Sequence, residues 1–373
     1  MPLPTDNQLA AAPLSIAVFG PGFGESIVLR AGTADGAEWA VVDSARRERE
    51  NGATINPSLK LLEYCNAHPS LVVFTHPHED HAGGMAHLVE RAADGATVGS
   101  VEPLMSARTP LQTHRDPDDR RAQRRTEVRN AHIAISQAWA GRARKWALVA
   151  DAQPFLLGGW QVSVLNPGAP ELADAVANME AGQKVRLNNL SAALLLERDA
   201  IRLVLAADCE RAAWTKVASH LNPNHLRATR PVKVPHHGSK GAIHDVLIRY
   251  ATLDAGRAQV VTPFPSSGAL PRFEVDQGAD RLLRAAGELL LTALPVDLLP
   301  RSDATTLDEV RNALTTEHFA GDTDFAIEDA DPATTAALAA GARDPLETWV
   351  LLSIHLDGTV AVTRGGHAVR LVA

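Results

Sequence analysis

Apolar positions along this chain fall into short runs of two periods. Leu14–Phe19, 26–30 and 39–42 are brief runs rich in β-forming residues, separated by Gly20-Pro21-Gly22 and by the glycine-flanked stretch 32–36. That punctuation predicts three strands joined by turns. Residues 70–75 (SLVVFT) are nearly apolar throughout, as expected of a strand covered on both faces. Residues 56–65 are spaced instead like a helix, with Leu59, Leu61, Leu62 and Cys65 available for a buried face. Gly83-Gly84 opens a further helix through Ala92, and 97–101 predicts a strand.

The second half repeats the alternation. Strands are predicted over 154–157, 161–165, 191–196 and 201–206, then a helix over Arg211–His220 and a short strand over 232–234. A helix over 242–250, a strand over 258–262, a helix over 276–286 and a strand over 288–292 follow. Residues 349–372 alternate around Asp357-Gly358 and again near Gly365-Gly366, which is hairpin patterning. This order, given twice, predicts an α/β (α+β) chain in which two mixed sheets pack together with helices outside, a four-layer αββα arrangement.

Two stretches break the pattern. Residues 103–150 contain an Arg-rich part and read as a mostly helical insertion that could cover a site. Residues 301–345 are polar and rich in Ala, Thr and Asp. The expected organisation is therefore a main domain over 1–300 carrying the basic insertion, with 301–373 a C-terminal extension that ends in a β-hairpin packed on the same domain.

The chain has 373 residues, of which 45% are hydrophobic, so it can bury a substantial core. Its formal net charge of −8 excludes a protein coated in basic residues for duplex binding, though not a local basic patch. Cys65 and Cys209 are too few and too far apart for a disulfide framework and read as reduced thiols. No apolar run is long enough to cross a bilayer, and the first residues have no basic start or apolar run of a signal peptide. A cytoplasmic location without a membrane role is expected, and the weight of Ala and Arg suggests a bacterial, GC-rich source.

The chemistry is concentrated in Thr75-His76-Pro77-His78-Glu79-Asp80-His81-Ala82-Gly83-Gly84. Three imidazoles and two carboxylates occupy six residues directly after an apolar strand. These are the ligands that zinc, manganese and iron accept. His76 and His78 project in the same sense, and Asp80 and His81 lie in the following turn within reach of a second ion. A polar loop with chance histidines is the alternative, but desolvated His and Asp packed together need a cation or an extensive hydrogen-bond network. Asp208 ends another apolar strand, where it could bridge two cations or cap the next helix. Val234-Pro235-His236-His237-Gly238-Ser239 is a third strand end carrying imidazoles.

The HxHxDH motif, the Asp after a strand and the PHHGS motif together resemble the metallo-β-lactamase superfamily. With Asn188-Asn189-Leu190-Ser191, the PHHGS ending looks like the hydrolase domain of the ComEC/Rec2 DNA-uptake proteins, here without transmembrane segments. The resemblance covers about residues 14–295. It implies His76 and His78 as ligands of a first metal, Asp80 and His81 of a second, Asp208 as the bridging carboxylate and His237 as the last ligand of the second. His236 would face substrate, unless His236 and His237 exchange roles. Where the superfamily usually supplies another histidine, this chain has Asn188 or Asn189, a harder and weaker ligand that relaxes the preference for Zn2+ in favour of Mn2+.

The implied cofactors are thus two divalent metal ions, Zn2+ or Mn2+, and the implied activity is hydrolysis by a metal-bridged hydroxide. Asp80 would orient the hydroxide, and His236 or Ser239 would hydrogen-bond a phosphoryl oxygen or leaving group. A phosphodiester, specifically a nucleic acid, is the first substrate expected. Arg121, Arg125 and Arg129 share one helix face where they could meet phosphates, although Asp116, Asp118, Asp119 and Glu127 could equally make this a solvated, neutralised face. A small-phosphoester or carboxylic-ester hydrolase is the second reading. The third is an effector subunit of a bacterial defence or DNA-processing system with an operon-encoded protein partner.

Overall fold

The structure, a computed structural model, describes residues 3–20, 24–32, 36–48, 54–101, 104, 120–220, 229–251, 258–264, 270–271, 278–293, 326–327 and 345–372. The first strands are β1 (Leu14–Phe19), β2 (Ser26–Ala31), β3 (Glu38–Val42), a ribbon of β4 (Arg47–Glu48) and β5 (Thr54–Ile55), β6 (Leu71–Phe74), β7 (Thr97–Ser100) and β8 (Arg144–Ala147). Then come β9 (Phe155–Leu157), β10 (Trp160–Asn166), β11 (Ala193–Arg198), β12 (Ile201–Leu205), β13 (Thr229–Lys233), β14 (Val260–Val261), β15 (Glu288–Leu291) and β16 (Ala326–Ile327). The chain closes with β17 (Trp349–Ile354), β18 (Val360–Arg364) and β19 (Val369–Val372). The helices are α1 (Asp6–Leu9), α2 (Pro57–Tyr64), α3 (Glu79–Ala82), α4 (Met85–Arg91), α5 (Arg120–Gly141), α6 (Ala169–Glu180), α7 (Arg211–His220), α8 (Asp245–Ala251) and α9 (Gly278–Ala286).

One eight-stranded sheet runs β18-β17-β1-β2-β3-β6-β7-β8, and a nine-stranded sheet runs β16-β19-β15-β14-β13-β12-β11-β10-β9. The period-2 alternation explains how they stack. In β1, Leu14, Ile16 and Val18 enter the core shared between the sheets, while Ala17 and Phe19 enter the core under α2, α4 and α5. In the second sheet Leu194, Leu196, Leu203 and Leu205 face the first sheet, while Ala193, Leu195 and Val204 pack on Trp214 and Val217 of α7. Strands apolar on both faces thus give helix, sheet, sheet, helix, the αββα layering anticipated from the sequence.

Three segments differ from expectation. The stretch read as a helical insertion supplies a sheet strand: β8 lies parallel to β7 at the edge of the first sheet, where only Trp146 of its four residues is buried. A single buried side chain leaves almost no periodic signal. The hairpin at the C-terminus holds for β17 and β18, which pair antiparallel, but not for the turn at Gly365-Gly366. There the chain passes to the other sheet, and β19 pairs with β15. Finally, β17 is wholly buried and pairs with all six residues of β1, inside the sheet. Of the 301–345 segment, β16 and Pro345 are among the described residues.

Parallel pairing of β3 with β6 and of β12 with β13 brings the C-terminal ends of these strands to matching edges of the two sheets. The edges are tied where Ala192 N donates to Thr75 O at 3.0 Å. Asp43, His76, Asp208 and the 235–238 turn follow directly from these strand ends.

Candidate metal centre

Three of these strand ends are bent by an unusual backbone conformation. Asp43 after β3 and Ala207 after β12 have φ of 58° and 44°, and His236 and His237 have φ of 45° and 53°. Left-handed conformations at non-glycine residues cost roughly 1–3 kcal/mol each, and they persist where surrounding structure holds them. Here His236 N donates to Ala207 O at 3.0 Å, binding the third turn to the second. The turn of α3 is pinned by glycines. Gly24, at φ +78°, abuts the Asp80 carbonyl so closely that a Cβ would collide with it, and Glu25 N donates to that same oxygen at 3.2 Å.

The histidines are oriented from behind. His81 Nδ1 lies 2.7 Å from Asp43 Oδ2, and Asp43 also accepts from Thr75 N (2.8 Å) and Thr75 Oγ1 (2.6 Å). His237 Nδ1 donates to Thr262 O at 2.7 Å and stacks on Phe264 with ring centroids 4.9 Å apart. His76 Nδ1 lies 3.1 Å from Thr75 Oγ1 and 3.2 Å from Ser191 Oγ, and Ser191 Oγ also accepts from Asp208 N. All three rings are held by Nδ1 and present Nε2 to one another's side, the arrangement by which outer partners fix a ligand imidazole.

The inward atoms converge. Asp208 Oδ2 lies 3.3 Å from His81 Nε2 and 3.8 Å from His76 Nε2, and Asp208 Oδ1 lies 3.9 Å from His237 Nε2. Asp80 Oδ2 is 3.4 Å from His237 Nε2 and 3.8 Å from His81 Nε2, while His78 Nδ1 is 2.9 Å from His76 Nε2. Two groups, His76-His78-Asp208 and Asp80-His81-Asp208-His237, each have their ligand atoms within 4.8 Å of one another and share Asp208. His81 Nε2 and Asp208 Oδ1 are buried and make no hydrogen bond. Buried polar atoms are rarely left so, and a cation between them satisfies both.

The electrostatics point the same way. Burial pulls His81 downward, but Asp208, Asp43 and Asp80 together hold it well above the ordinary imidazole value. Burial and then the neighbouring imidazoles His81 and His78 push His76 well below it, so this ring stays neutral as a ligand must. Asp208 is held well below the carboxylate range against its own burial, first by His81 and then by His237. The carboxylates thus stay ionised among the imidazoles, and this donor set of imidazole and carboxylate suits a divalent transition metal.

The remaining predicted residues lie around this centre. His236 is half-buried, with Nε2 4.0 Å from Asp208 Oδ2, Asn188 Nδ2 at 3.0 Å and Ser239 Oγ 3.1 Å from its Nδ1. Asn188 Oδ1 and Asn189 Oδ1 are buried without a hydrogen-bond partner. Arg129 is exposed on α5, while the side chains of Arg121 and Arg125 lie outside the described residues. Cys209 is buried with its thiol on Ser191 O at 3.0 Å, and burial pushes its pKa up, so it is an inert neighbour of Asp208.

The sequence did not single out Lys233, Thr262 or Glu210, whose carboxylate stands 3.6 Å from His236 Nδ1; it marked Ser191 only as part of a motif and Glu127 only as a neutralising charge. Glu127 in fact accepts from Gly84 N at 2.9 Å and pairs with Arg46 at 2.6 Å, clamping α5 to the turn that follows the ligands. A lysine flanked by valines just before the PHHGS motif was the available signal for Lys233.

A family model described as the metallo-β-lactamase superfamily matches residues 19–159. The fold is the metallo-β-lactamase fold. Superfamily membership is supported by that match, and metallo-β-lactamase family proteins bind divalent metals. Among solved structures, the chain is similar to the hydrolase AbOPH of the β-lactamase superfamily at 14% identity and a TM-score of 0.32, over 66% of this chain and 73% of that one. It is also similar to Zn2+-bound PqqB from Methylobacterium extorquens at 10% identity and a TM-score of 0.28, over 58% of this chain and 71% of that one. A third is Rm3 metallo-β-lactamase, at 12% identity and a TM-score of 0.26, over 57% of this chain and 69% of that one. No curated protein matches the sequence. Among the described residues, no helix is long and apolar enough to cross a membrane.

Proposed function

We propose that the chain is a metal-dependent hydrolase of phosphodiesters, with nucleic acid the first substrate class. The observation that carries the reading is the pair of ligand groups sharing Asp208, whose Oδ1 has no hydrogen-bond partner. His76, His78 and Asp208 would hold one divalent cation, with an asparagine oxygen of Asn188 or Asn189 available beside them. Asp80, His81, Asp208 and His237 would hold the second. Such a pair supplies Lewis acidity to the scissile group and makes a bound water acidic near neutrality.

The chain's own groups do the rest. Asp80 presents a carboxylate between His81 and His237, with 13% of its side chain exposed, so it can accept a hydrogen bond from a water and orient it. His236, steadied by Asn188 and Ser239, faces solvent beside Asp208 and can hydrogen-bond a phosphoryl oxygen or the leaving group. Turning Glu127 inward onto Gly84 leaves Arg129 exposed on the outer part of α5, which favours phosphate contact over a neutralised face. The resemblance of the PHHGS ending to the DNA-uptake hydrolase domains supports the same substrate class.

A second reading has one observation of its own. A cavity of about 530 Å³ lies at the C-terminal ends of β7 and β8, walled by Val101, Leu148, Leu172 and Val176, none of them a ligand, and would hold the apolar part of a small ester. Incubating purified protein and Mn2+ with plasmid, oligonucleotides and chromogenic phosphoesters and carboxylic esters separates the two. Nucleic-acid cleavage that Asp208→Asn abolishes supports the phosphodiesterase. Turnover of small esters alone overturns it in favour of the second reading.

A further inference from the structure

Behind the second ligand group lies an ion pair that no ligand role explains. Lys233 at the end of β13 is fully buried, and Glu25 at the start of β2 is 1% exposed. The two form a salt bridge across the interface between the sheets. Burying such a pair costs several kcal/mol per ion before attraction offsets it, and apolar replacements are often neutral or stabilising, so fold stability alone does not explain it.

Its neighbours do. Lys233 Nζ donates to Ala207 O at 3.3 Å, the carbonyl just before Asp208, and lies 4.0 Å from Asp208 Oδ1. Glu25 Oε2 accepts from Thr262 Oγ1 at 2.8 Å and stands 3.9 Å from His237 Nδ1. Glu25 Oε1 is buried without a hydrogen bond, 4.0 Å from His81 Nδ1. One carboxylate therefore backs both histidines of the group, and one ammonium backs its bridging aspartate.

We propose that Glu25 and Lys233 are positioning residues that set the cation affinity of the Asp80-His81-Asp208-His237 group through opposed charges. This rests on the metal-centre reading above. Glu25 strengthens the hold on the cation through the backs of His81 and His237, and Lys233 weakens it through Asp208. Between them they keep the group from binding either too loosely or irreversibly.

The test is Mn2+ titration by calorimetry and chelator competition on wild type, Glu25→Gln, Lys233→Met and the double variant, with thermal unfolding in both metal-free and Mn2+-loaded states. Glu25→Gln is expected to weaken the second equivalent about tenfold or more, in the range seen when outer partners of metal ligands are removed. Lys233→Met is expected to tighten it and to enlarge the stabilisation that Mn2+ brings. The double variant returns toward wild type. Should Lys233→Met not fold, Glu25→Gln and the double variant decide the matter, because the second must recover what the first loses. Single variants that shift affinity in the same direction, or lower stability equally with and without Mn2+ at unchanged affinity, overturn the proposal. A wild type that takes up no Mn2+ overturns the metal centre itself.

Discussion

At the scale of single residues, the strongest consequence concerns protons. His81 is held well above the ordinary imidazole value because Asp208, Asp43 and Asp80 surround it, so the metal-free ring is charged at neutral pH. A raised folded value means that this pairing stabilises the metal-free fold fully below about pH 6.5 and is lost as pH rises through the folded value. Binding a cation at Nε2 must displace that proton. Calorimetry in buffers of different ionisation enthalpy is expected to show about one proton released with the second Mn2+ and affinity rising with pH. No proton release would place the ion elsewhere. Asp43→Asn keeps the shape but removes the charge behind His81, and a loss of about 10- to 100-fold in metal affinity is expected by chelator competition. The ligands were legible in the sequence because His, Asp and Gly crowd into short motifs at strand ends. Lys233 and Thr262 were not, because each is a lone polar residue beside apolar neighbours; Glu25, next to Ser26, and Ser191, at the end of the Asn188–Ser191 motif, gave no sign of which ligands they back, and only the packing of the two sheets brings all four behind the ligands.

At the scale of elements, α5 links the site to a surface. It packs on α3 and α4, and Glu127 joins it to Gly84 and Arg46. Glu127→Ala leaves the Gly84 N–H and the Arg46 guanidinium without this partner. A charged acceptor of this kind contributes on the order of 1.5–3 kcal/mol, so a comparable loss of stability and faster amide exchange over 79–91 are expected. Replacing Arg121, Arg125 and Arg129 together by Ala should weaken oligonucleotide binding and flatten its salt dependence, and should leave Mn2+ uptake intact; an unchanged salt slope would remove phosphate contact from this helix. The bounds of β1 and α7 were readable from sequence to the residue, whereas α5 was read only as part of a mostly helical stretch over 103–150. β8 was not readable, because an edge strand with one buried tryptophan carries no alternation to read.

At the scale of the whole molecule, the two sheets are joined as much by the last residues as by the first. Asp357-Gly358 was recognisable as a turn, but which partner each flanking strand finds is a non-local choice that a local pattern does not encode. The structure answers it: β17 fills the place between β1 and β18, pairing Leu14 with Ile354 through Phe19 with Trp349, and β19 closes β15 in the other sheet. Trp349, Val350, Leu351, Leu352 and Ile354 are all buried, and they enter the inter-sheet core and the helix-side core alternately. Burying a large apolar side chain contributes about 1.5–3 kcal/mol, so these five together approach the whole net stability of a domain, about 5–15 kcal/mol. Loss of β17 and β19 would also bare one edge of β1 and one of β15, and open edges of that kind pair with other chains. Truncation before Trp349 is therefore expected to abolish cooperative unfolding and soluble expression. Val362→Ala on the exposed side of β18 should melt close to wild type, because that residue is 40% exposed. A truncated chain that stayed soluble, melted cooperatively and still took up Mn2+ would make residues 349–372 a dispensable appendage, and the two sheets would have to hold the ligand groups in register without them.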